Sequence, residues 1–292
     1  MSLVRLRAWL ACVLASLVLV ACAQSSCDQP KPFTVMTYNV GDCCSSHPTR
    51  QKFKKALADL ATAEGEKPDV MLLQEFRQAK SQADLQTLGE EMGYPHAVWS
   101  RSGLDTQARL AIFSRFPLGK AHVVKFTSSP LQRVALAVKM HVGAKNVQVV
   151  NVHFDHFKKD RTSSGDVRWA SWSMLRQLGQ EMLGTSVRSR MAKELNQWLE
   201  RQGAEYVIVG GDLNTVPLSG ASRALEDHLD DALWPSVEYF KGTYSRVRTW
   251  VQPRVDFLFH TPGLTAVDGR VLSGVLGDHH PVRSGFVVCA AP

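Results

Sequence analysis

The chain has 292 residues, of which 45% are hydrophobic and 21% charged, and its formal net charge is +7. This length suits one large α/β domain or two small ones, and we expect one domain because no stretch rich in proline, glycine and serine divides the sequence. The sequence has no internal repeats or low-complexity segments, which excludes a repeat architecture. Its modest positive charge permits a polyanionic partner without requiring one.

The first residues have the pattern of an export signal. Arg5 and Arg7 precede an uncharged apolar run, Ala8–Ala21, which is too short to span a bilayer comfortably. The run ends in Leu-Val-Ala followed by Cys22, which resembles a bacterial lipobox. We therefore expect the protein to leave the cytosol.

Two forms of the exported protein are compatible with this signal. In the first, residues 1–22 are the signal segment, Cys22 is lipidated, and the protein resides in the periplasm or at the outer membrane as a lipoprotein. In the second, cleavage after Ala23 releases a plain secreted protein. In both, residues 23–32 are a short linker and residues 33–289 form the folded domain, which we expect to be a monomer.

Cysteine usage fits an oxidising compartment. The sequence has six cysteines, and two of them, Cys12 and Cys22, belong to the signal. The other four suggest up to two disulfides, with three connectivities that the sequence cannot distinguish: Cys27, Cys43, Cys44 and Cys289. A bond between the first and last of these would tie the ends of the domain together. Zinc is the rival interpretation, but the adjacent pair lacks the two-residue gap of a metal knuckle.

In chain order, short apolar runs rich in β-branched residues alternate with helical patterns, as in a layered α/β fold. Several runs follow one another without a helix between them, which favours antiparallel pairing. The predicted strands are Phe33–Val40, Asp69–Gln74, Arg109–Ser114, Ala121–Phe126, Arg133–Val142, Val147–Phe154, Tyr206–Gly210, Arg254–Phe259 and Val282–Val288. The predicted helices are Lys52–Ala63, Asp166–Met182 and Arg190–Gln202.

Large apolar residues in two of these helices are assigned to the core. One face of the last helix carries Met191, Leu195, Trp198 and Leu199 at helical spacing, which indicates packing and not a ligand site. In the helix before it, we expect Trp169 and Trp172 to pack against a sheet.

Polar side chains recur at or beside the ends of the predicted strands, where sheet enzymes collect their chemistry. Each one alone has a simpler explanation, because Asn and Asp are common turn formers and a single His or Glu is usually structural or solvated. Their repeated placement favours one shared site. The eight residues are Asn39, Glu75, His153, Asp212, Asn214, Asp256, Asp278 and His279.

Five motifs give this pattern its specificity: Leu73-Gln-Glu-Phe-Arg77, Asn151-Val-His-Phe-Asp-His156, Gly211-Asp-Leu-Asn214, Val255-Asp-Phe-Leu-Phe259 and Asp278-His-His-Pro-Val282. In this order they resemble the endonuclease/exonuclease/phosphatase superfamily, which contains DNase I-like nucleases, abasic-site endonucleases, neutral sphingomyelinases and inositol phosphatases. The resemblance covers nearly the whole chain after residue 32. It implies an α/β (α+β) fold, a DNase I-like four-layer sandwich of two mixed β-sheets flanked by helices.

The resemblance also implies a divalent cation, Mg²⁺, for which Mn²⁺ or Ca²⁺ could substitute. Glu75 is the first choice of ligand, since Mg²⁺ takes few carboxylates and keeps several waters that a phosphate can displace. Asn39 and Asp278 lie where the family also contacts metal.

Catalytic roles follow from the same resemblance. His279 would be the general base on the attacking water, with its pKa set by a neighbouring carboxylate. Asp212 would orient that water, and Asn214 would bind a phosphate oxygen. His153 would stabilise the pentacovalent phosphorus, with Asp256 fixing its tautomer and raising its pKa.

Two arginines are candidates for binding the substrate phosphate. Arg77 follows Glu75 closely, although an exposed salt bridge explains it equally well. Arg115 lies in a segment that resembles the family's central strand. The sequence departs from the family pattern at Gly277, where serine is common, and at Leu213, where an aromatic residue is usual.

We therefore expect an exported, metal-dependent phosphoesterase that hydrolyses phosphodiester bonds. A DNase I-like nuclease is favoured by export and by the positive charge, which suits nucleic acid as substrate. A sphingomyelin or phospholipid phosphodiesterase would need an exposed apolar loop, for which Trp234–Phe240 is the candidate. A phosphomonoesterase ranks third, and a non-catalytic binding protein on the same scaffold ranks last. A membrane is expected as a partner only through a lipid anchor on Cys22.

Overall fold

The computed structural model describes residues 32–41, 49–63, 65–100, 109–157, 172–245, 252–274 and 276–288. The predicted signal, its lipidation site Cys22 and the four candidate disulfide cysteines, Cys27, Cys43, Cys44 and Cys289, lie outside these ranges, as does Trp169. Within them, no helix combines the length and apolar character that a membrane span requires.

Twelve strands are formed by the described residues. They are β1 (Phe33–Asn39), β2 (Val70–Gln74), β3 (His96–Trp99), β4 (Ala111–Ser114), β5 (His122–Lys125), β6 (Val134–Val142), β7 (Lys145–His153), β8 (Tyr206–Asp212), β9 (Asp230–Asp231), β10 (Asp256–His260), β11 (Leu264–Val271) and β12 (Val282–Val288). The helices in the same ranges are α1 (Arg50–Ala63), α2 (Gln82–Glu91), α3 (Trp172–Met182), α4 (Val187–Gln202) and α5 (Gly220–Glu226), and a 3₁₀ turn spans Val237–Phe240.

The strands form two mixed six-stranded sheets. Their orders are β11-β12-β1-β2-β4-β3 and β5-β6-β7-β8-β10-β9. Each sheet has one parallel pair at its centre, β1 with β2 and β7 with β8, and its other pairs are antiparallel. The predicted sandwich of two mixed sheets with flanking helices is therefore confirmed.

Three apolar layers hold the sandwich together. Val35, Leu72, Val149 and Ile208 belong to the layer between the sheets. A second layer joins the first sheet to α1 and α2, and a third joins the second sheet to α4 and α5. No described side chain of α3 belongs to any of these layers.

A buried polar bridge links the central strands of the two sheets. The Gln74 Nε2 atom donates to Asn151 Oδ1 at 2.7 Å, and Asn151 Nδ2 donates to the carbonyls of Leu73 and Ala111 at 2.9 and 3.0 Å. These amide donors all find acceptors inside the protein, whereas the Gln74 Oε1 atom is buried with no hydrogen-bond partner among the described residues. The bridge fixes how the carboxyl ends of the two parallel pairs face each other.

Several predicted elements differ from the structure. The sequence patterns missed α2, which begins at an N-cap where Ser81 accepts from Asp84 N, and they missed the edge strands β3 and β11. Met191 and Leu195 of α4 are fully buried as expected, and Trp198 and Leu199 pack partly buried beside them. Trp172 was expected to pack against a sheet, but this is wrong, because the residue is 89% exposed.

Candidate active site

Strand register brings the polar strand ends together. In the first sheet β1 and β2 run parallel with Asn39 beside Gln74, so that Glu75 follows directly at the same edge. In the second sheet His153 of β7 lies beside Asp212 of β8, and Asp212 in turn pairs with Asp256 at the start of the antiparallel strand β10. The two edges meet across the sandwich and form a single site.

Asp212 lies at the centre of this site and is 1% exposed. Its Oδ2 atom is 3.1 Å from Asn39 Nδ2, 3.3 Å from Asn214 Nδ2, 3.4 Å from His153 Nε2 and 3.8 Å from His279 Nε2. The Asn214 backbone N–H also donates to Asp212 Oδ1 at 2.8 Å. One buried carboxylate is therefore the meeting point of side chains from both sheets.

Asp256 orients His279 and not His153. Its Oδ2 atom is 2.8 Å from His279 Nδ1, which leaves His279 Nε2 facing Asp212. The expectation that Asp256 fixes the tautomer of His153 is therefore wrong. The strand pairing explains the difference, because the loop of residues 243–245 pairs with 278–280 through the bridge from Tyr244 to His279 and carries the histidine over the start of β10.

The two histidines have opposite electrostatic surroundings. Burial lowers the pKa of His153 well below its usual value, and the positive charge of Arg133 lowers it further. The sequence-based expectation of a raised pKa at His153 is thus also wrong. Burial lowers the pKa of His279 too, but the carboxylates of Asp256, Asp212 and Asp278 outweigh this and raise it to about 10.

The Asp212 carboxyl also has a shifted pKa. Burial raises this pKa, although the nearby charge of His279 opposes the increase. The neighbouring carboxylates thus favour the protonated imidazole of His279, and burial makes the Asp212 carboxylate more basic. Such a pair can donate a proton at His279 and accept one at Asp212.

Glu75 is held in a strained backbone conformation. Its φ is +55°, and that of Asn214 is +49°, a region that non-glycine residues adopt rarely and mostly at functional sites. Gly41 makes room for the Glu75 carboxylate, because a Cβ at Gly41 would lie 1.9 Å from Glu75 Oε2. Gly277 has a φ of +64°, and a Cβ there would lie 2.1 Å from Gly41 O. These two glycines let the loop before Asp278 approach the loop beside Glu75.

The donor atoms at this edge fit a hard divalent cation. Glu75 and Asp278 offer carboxylates that are partly exposed, and Asn39 adds an amide. In the buried half, Asp212, Asp256 and His279 can bring one ligand atom each within 4.8 Å of one another. Asp256 Oδ1 is buried and has no hydrogen-bond partner among the described residues, which is a further free oxygen at the site.

Sequence reasoning missed Arg133, which lies just before β6. The side chain is 4% exposed, and its Nε and Nη1 atoms are buried with no hydrogen-bond partner among the described residues. Among the described residues, the Asp155 carboxylate lies nearest to this guanidinium group, with its Oδ1 atom 3.9 Å from Nε. Only the pairing of β6 with β7 places this arginine at the His153 end of the sheet, so no local motif could have identified it.

The two arginines chosen from the sequence are less well placed. Arg77 is exposed beside Gln78, two residues beyond Glu75. Arg115 lies after the carboxyl end of β4, which is antiparallel to β2, and its Nη1 atom pairs with Asp69 at 3.1 Å. Arg115 is therefore at the sheet edge opposite to Glu75, and its selection as a phosphate ligand of this site is corrected.

Comparisons with known proteins identify the family to which this chain belongs. A model of the endonuclease/exonuclease/phosphatase family matches residues 36–279. An endonuclease/exonuclease/phosphatase from Beutenbergia cavernae DSM 12333 is a similar solved structure, with 20% identity, a TM-score of 0.63 and coverage of 90% of this chain and 73% of its own. Truncated TDP2 of Caenorhabditis elegans has 19% identity, a TM-score of 0.58 and coverage of 88% and 97%.

The catalytic domain of human Nocturnin with a bound sulfate anion is a third such structure, with 18% identity, a TM-score of 0.62 and coverage of 88% and 93%. No curated protein sequence matches this chain significantly. The fold and the cluster around Asp212 define a phosphoester-hydrolase scaffold, and the chain belongs to the endonuclease/exonuclease/phosphatase family. Members of this family are hydrolases of phosphoester bonds that generally depend on divalent metal ions.

Proposed function

We propose that this protein is an exported phosphodiesterase that requires a divalent cation and hydrolyses nucleic acid. The observation that carries the proposal is the convergence on the Asp212 carboxylate of Asn39, His153, Asn214 and His279, drawn from both sheets. The formal net charge, which is +7 for the whole chain and +5 without Arg5 and Arg7 of the signal, supports a polyanionic substrate. The family description itself includes endonucleases and exonucleases.

Glu75, Asn39 and Asp278 would hold the cation, which when bound offsets the charge that develops on the phosphate oxygens. Mg²⁺ fits this oxygen donor set best. Asp212 accepts a proton from the attacking water, because burial makes its carboxylate more basic. Asn39 and Asn214 hold that carboxylate in place through their amide nitrogens.

His279 is a proton donor in this proposal, whereas the sequence led us to expect a proton acceptor. With its pKa raised to about 10, it carries a proton on Nε2 and is suited to donate to a phosphoryl oxygen or to the leaving oxygen. Asp256 holds the ring through Nδ1. His153, whose pKa is lowered, stays neutral and can donate one hydrogen bond to a phosphoryl oxygen.

Arg133 is proposed as a phosphate contact of this site. Its buried Nε and Nη1 atoms lack hydrogen-bond partners among the described residues, and phosphate oxygens would supply the acceptors that they lack. A guanidinium group carries five N–H donors and can bind phosphate through two of them.

The test is hydrolysis of supercoiled plasmid and of a single-stranded oligonucleotide in Mg²⁺, Mn²⁺, Ca²⁺ or EDTA, with Asp212→Asn as the matched inactive variant. We expect nicking by the wild type that depends on the cation, weakens as salt rises and is lost in the variant. Equal nicking by both proteins would mean that a contaminant is responsible and would remove the support for a nuclease.

A phospholipid or sphingomyelin phosphodiesterase is the second candidate, and one observation favours it. Trp234, Val237 and Phe240 are 64%, 89% and 65% exposed, so the predicted apolar loop is available at the surface. Sphingomyelin, phosphatidylcholine and a soluble phosphomonoester should be assayed in parallel with the plasmid. Release of phosphocholine without any nicking would favour this candidate over the nuclease.

Export remains a proposal that rests on the first 23 residues. Mass spectrometry of the protein purified from the producing cell would identify its N-terminus. A chain that begins at a lipid-modified Cys22 would establish the lipoprotein, and one that begins at Gln24 would establish the secreted form. An intact N-terminus in a cytosolic fraction would contradict both.

A further inference from the structure

The helix α3 turns its apolar face toward solvent and its polar face toward the protein. Trp172, Leu175, Leu178 and Met182 recur at helical spacing on one face and are 89%, 51%, 44% and 51% exposed, and Leu183, directly after the helix, is 79% exposed. A surface helix normally turns its apolar stripe toward the core. Here that stripe faces solvent.

The polar side of the same helix faces the protein. Glu181 is 2% exposed and lies about two and a half turns from Trp172, on the opposite side of the helix. Its carboxylate pairs with Arg188 Nε at 2.8 Å and accepts from Thr215 Oγ1 at 2.8 Å. These buried polar contacts fix the orientation, so that the apolar stripe cannot turn inward without breaking an ion pair.

The exposed stripe is bordered by positive charge. Arg176 is exposed on α3 itself, Arg223 donates to the Met182 carbonyl at 2.6 Å, and Arg190 donates to the Thr185 carbonyl at 2.8 Å. The only acidic residue in the sequence of α3 is Glu181, which is buried. An apolar stripe with an arginine border complements a surface that is apolar inside and anionic at its rim.

We propose that α3 docks the protein onto the surface of a membrane that contains anionic phospholipid. The apolar stripe enters the boundary between headgroups and acyl chains, and the arginines bind lipid phosphates. A large exposed apolar patch marks an interaction site, and the charge of the border selects an anionic lipid surface as its occupant. Glu181 binds Thr215, which follows Asn214, so that the buried side of α3 lies near the candidate active site and the docked stripe lies on the opposite side of the helix. This proposal does not depend on which phosphoester the site hydrolyses.

The first experiment measures binding to vesicles of phosphatidylcholine with and without phosphatidylglycerol. The proteins are full-length chains carrying Cys22→Ser, so that no attached lipid contributes and any effect of the N-terminal run is common to all of them. One adds Trp172→Gln, Leu175→Gln and Leu178→Gln, because glutamine keeps helix propensity while removing apolar surface. The matched control adds Trp234→Gln, Val237→Gln and Phe240→Gln, which are exposed apolar residues of the other candidate lipid-binding surface. Thermal melting monitored by circular dichroism verifies that both variants fold.

We expect binding to the anionic vesicles to fall about tenfold or more in the α3 variant, given the apolar area removed, and to change little in the control. Loss of binding only in the control would overturn the proposal, because it would place the contact on the 3₁₀ turn. Equal binding by all three proteins would also overturn it.

A second measurement follows Trp172 directly. Difference spectra between the wild type and Trp172→Phe report the fluorescence of this residue, and lipids brominated in their acyl chains quench it only on close contact. We expect quenching of Trp172 and not of Trp234, obtained in the same way from Trp234→Phe. No quenching of Trp172, or sedimentation showing that the stripe instead joins two copies of the chain without lipid, would contradict the proposal.

Discussion

The two parallel strand pairs at the centres of the sheets have the same topology but form different halves of the site. The pair β1 and β2 ends in Asn39 and Glu75, oxygen donors next to a loop that two glycines keep open. The pair β7 and β8 ends in His153 and Asp212, which are buried and have shifted pKa values. Similar backbones thus present chemically distinct ends, because the residue types differ and because Glu75 is partly exposed whereas Asp212 is buried.

The two sheets therefore supply different groups to the candidate site. The partly exposed carboxylate of Glu75 remains accessible to a hydrated cation, whereas Asp212 and His279 are buried, and a low local dielectric there strengthens the proton transfers that we propose for them. Asn39 joins the halves, since its amide nitrogen lies 3.1 Å from Asp212 Oδ2 and 3.5 Å from Glu75 Oε1. Substitutions in one half of the site should therefore have kinetic effects that substitutions in the other half do not have.

The largest effect is expected at the buried half. Asp212→Asn should reduce kcat about 10³-fold or more, because it removes the proposed proton acceptor while keeping the shape of the side chain. Steady-state hydrolysis of a synthetic phosphodiester in saturating Mg²⁺ measures this loss. Asp230→Asn, an exposed aspartate of β9, is the control and should retain activity. A loss that extra Mg²⁺ restores would assign Asp212 to cation binding instead.

Disabling the other half should have a different signature. Glu75→Gln should reduce activity about 10²-fold at low Mg²⁺ and raise the Mg²⁺ concentration needed for half-maximal rate, because a neutral amide is a weaker ligand for a hard cation. A Mg²⁺ titration of the rate measures the shift, with the exposed Glu205→Gln as the control. An unchanged Mg²⁺ requirement would remove Glu75 from the cation site.

Variants of Arg133 and Arg115 distinguish an arginine that contacts the substrate phosphate from one that forms an ion pair at the opposite sheet edge. Arg133→Ala should raise KM about 10- to 100-fold, and Arg133→Lys should recover only part of this loss because lysine lacks the planar fork. Arg115→Ala should change kcat/KM less than about twofold, since its ion pair is half-exposed and at the opposite edge. Similar effects of the two alanine variants would contradict the assignment of Arg133.

The raised pKa of His279 predicts how stability depends on pH. Because the folded pKa of about 10 lies above the ordinary histidine value of 6.5, the protonated imidazole stabilises the folded state fully below pH 6.5, and this contribution is lost as the pH rises toward 10. In EDTA, the free energy of unfolding should therefore fall more steeply between these pH values in the wild type than in His279→Gln. Denaturant titrations at several pH values measure both slopes, and equal slopes would contradict the raised pKa.

The bridge between the halves should matter for stability. Asn151→Leu leaves the Leu73 and Ala111 carbonyls and the Gln74 amide without their buried partner, and it should cost about 2–4 kcal/mol of unfolding free energy. Asn146→Leu, on the exposed part of β7, should cost less than about 0.5 kcal/mol. Urea unfolding compares the two, and equal costs would show that the bridge contributes nothing specific.

The sequence predicted most of the strands, but it did not predict several contacts within the site. Alternating apolar strands identified most of the two sheets, but α2 and the edge strands carry weak periodicity, and β3 and β11 form by pairing with β4 and β12. The assignment of Asp256 to His153 failed because strand order, and not sequence proximity, decides which histidine lies over the start of β10. The positions of Arg133 and Arg115 depend equally on strand direction, which the residues around each arginine do not encode.

The sequence by itself determined the family and the set of polar residues at the strand ends, because five ordered motifs and the short apolar runs before them are local features. The tertiary structure alone decided that Asp256 pairs with His279, that Arg133 lies at the site edge and that the apolar stripe of α3 faces outward. Each of these depends on which strands or helices become neighbours. Burial and charge at such contacts arise only when distant segments pack together, and they set the pKa values and orientations on which the chemistry depends.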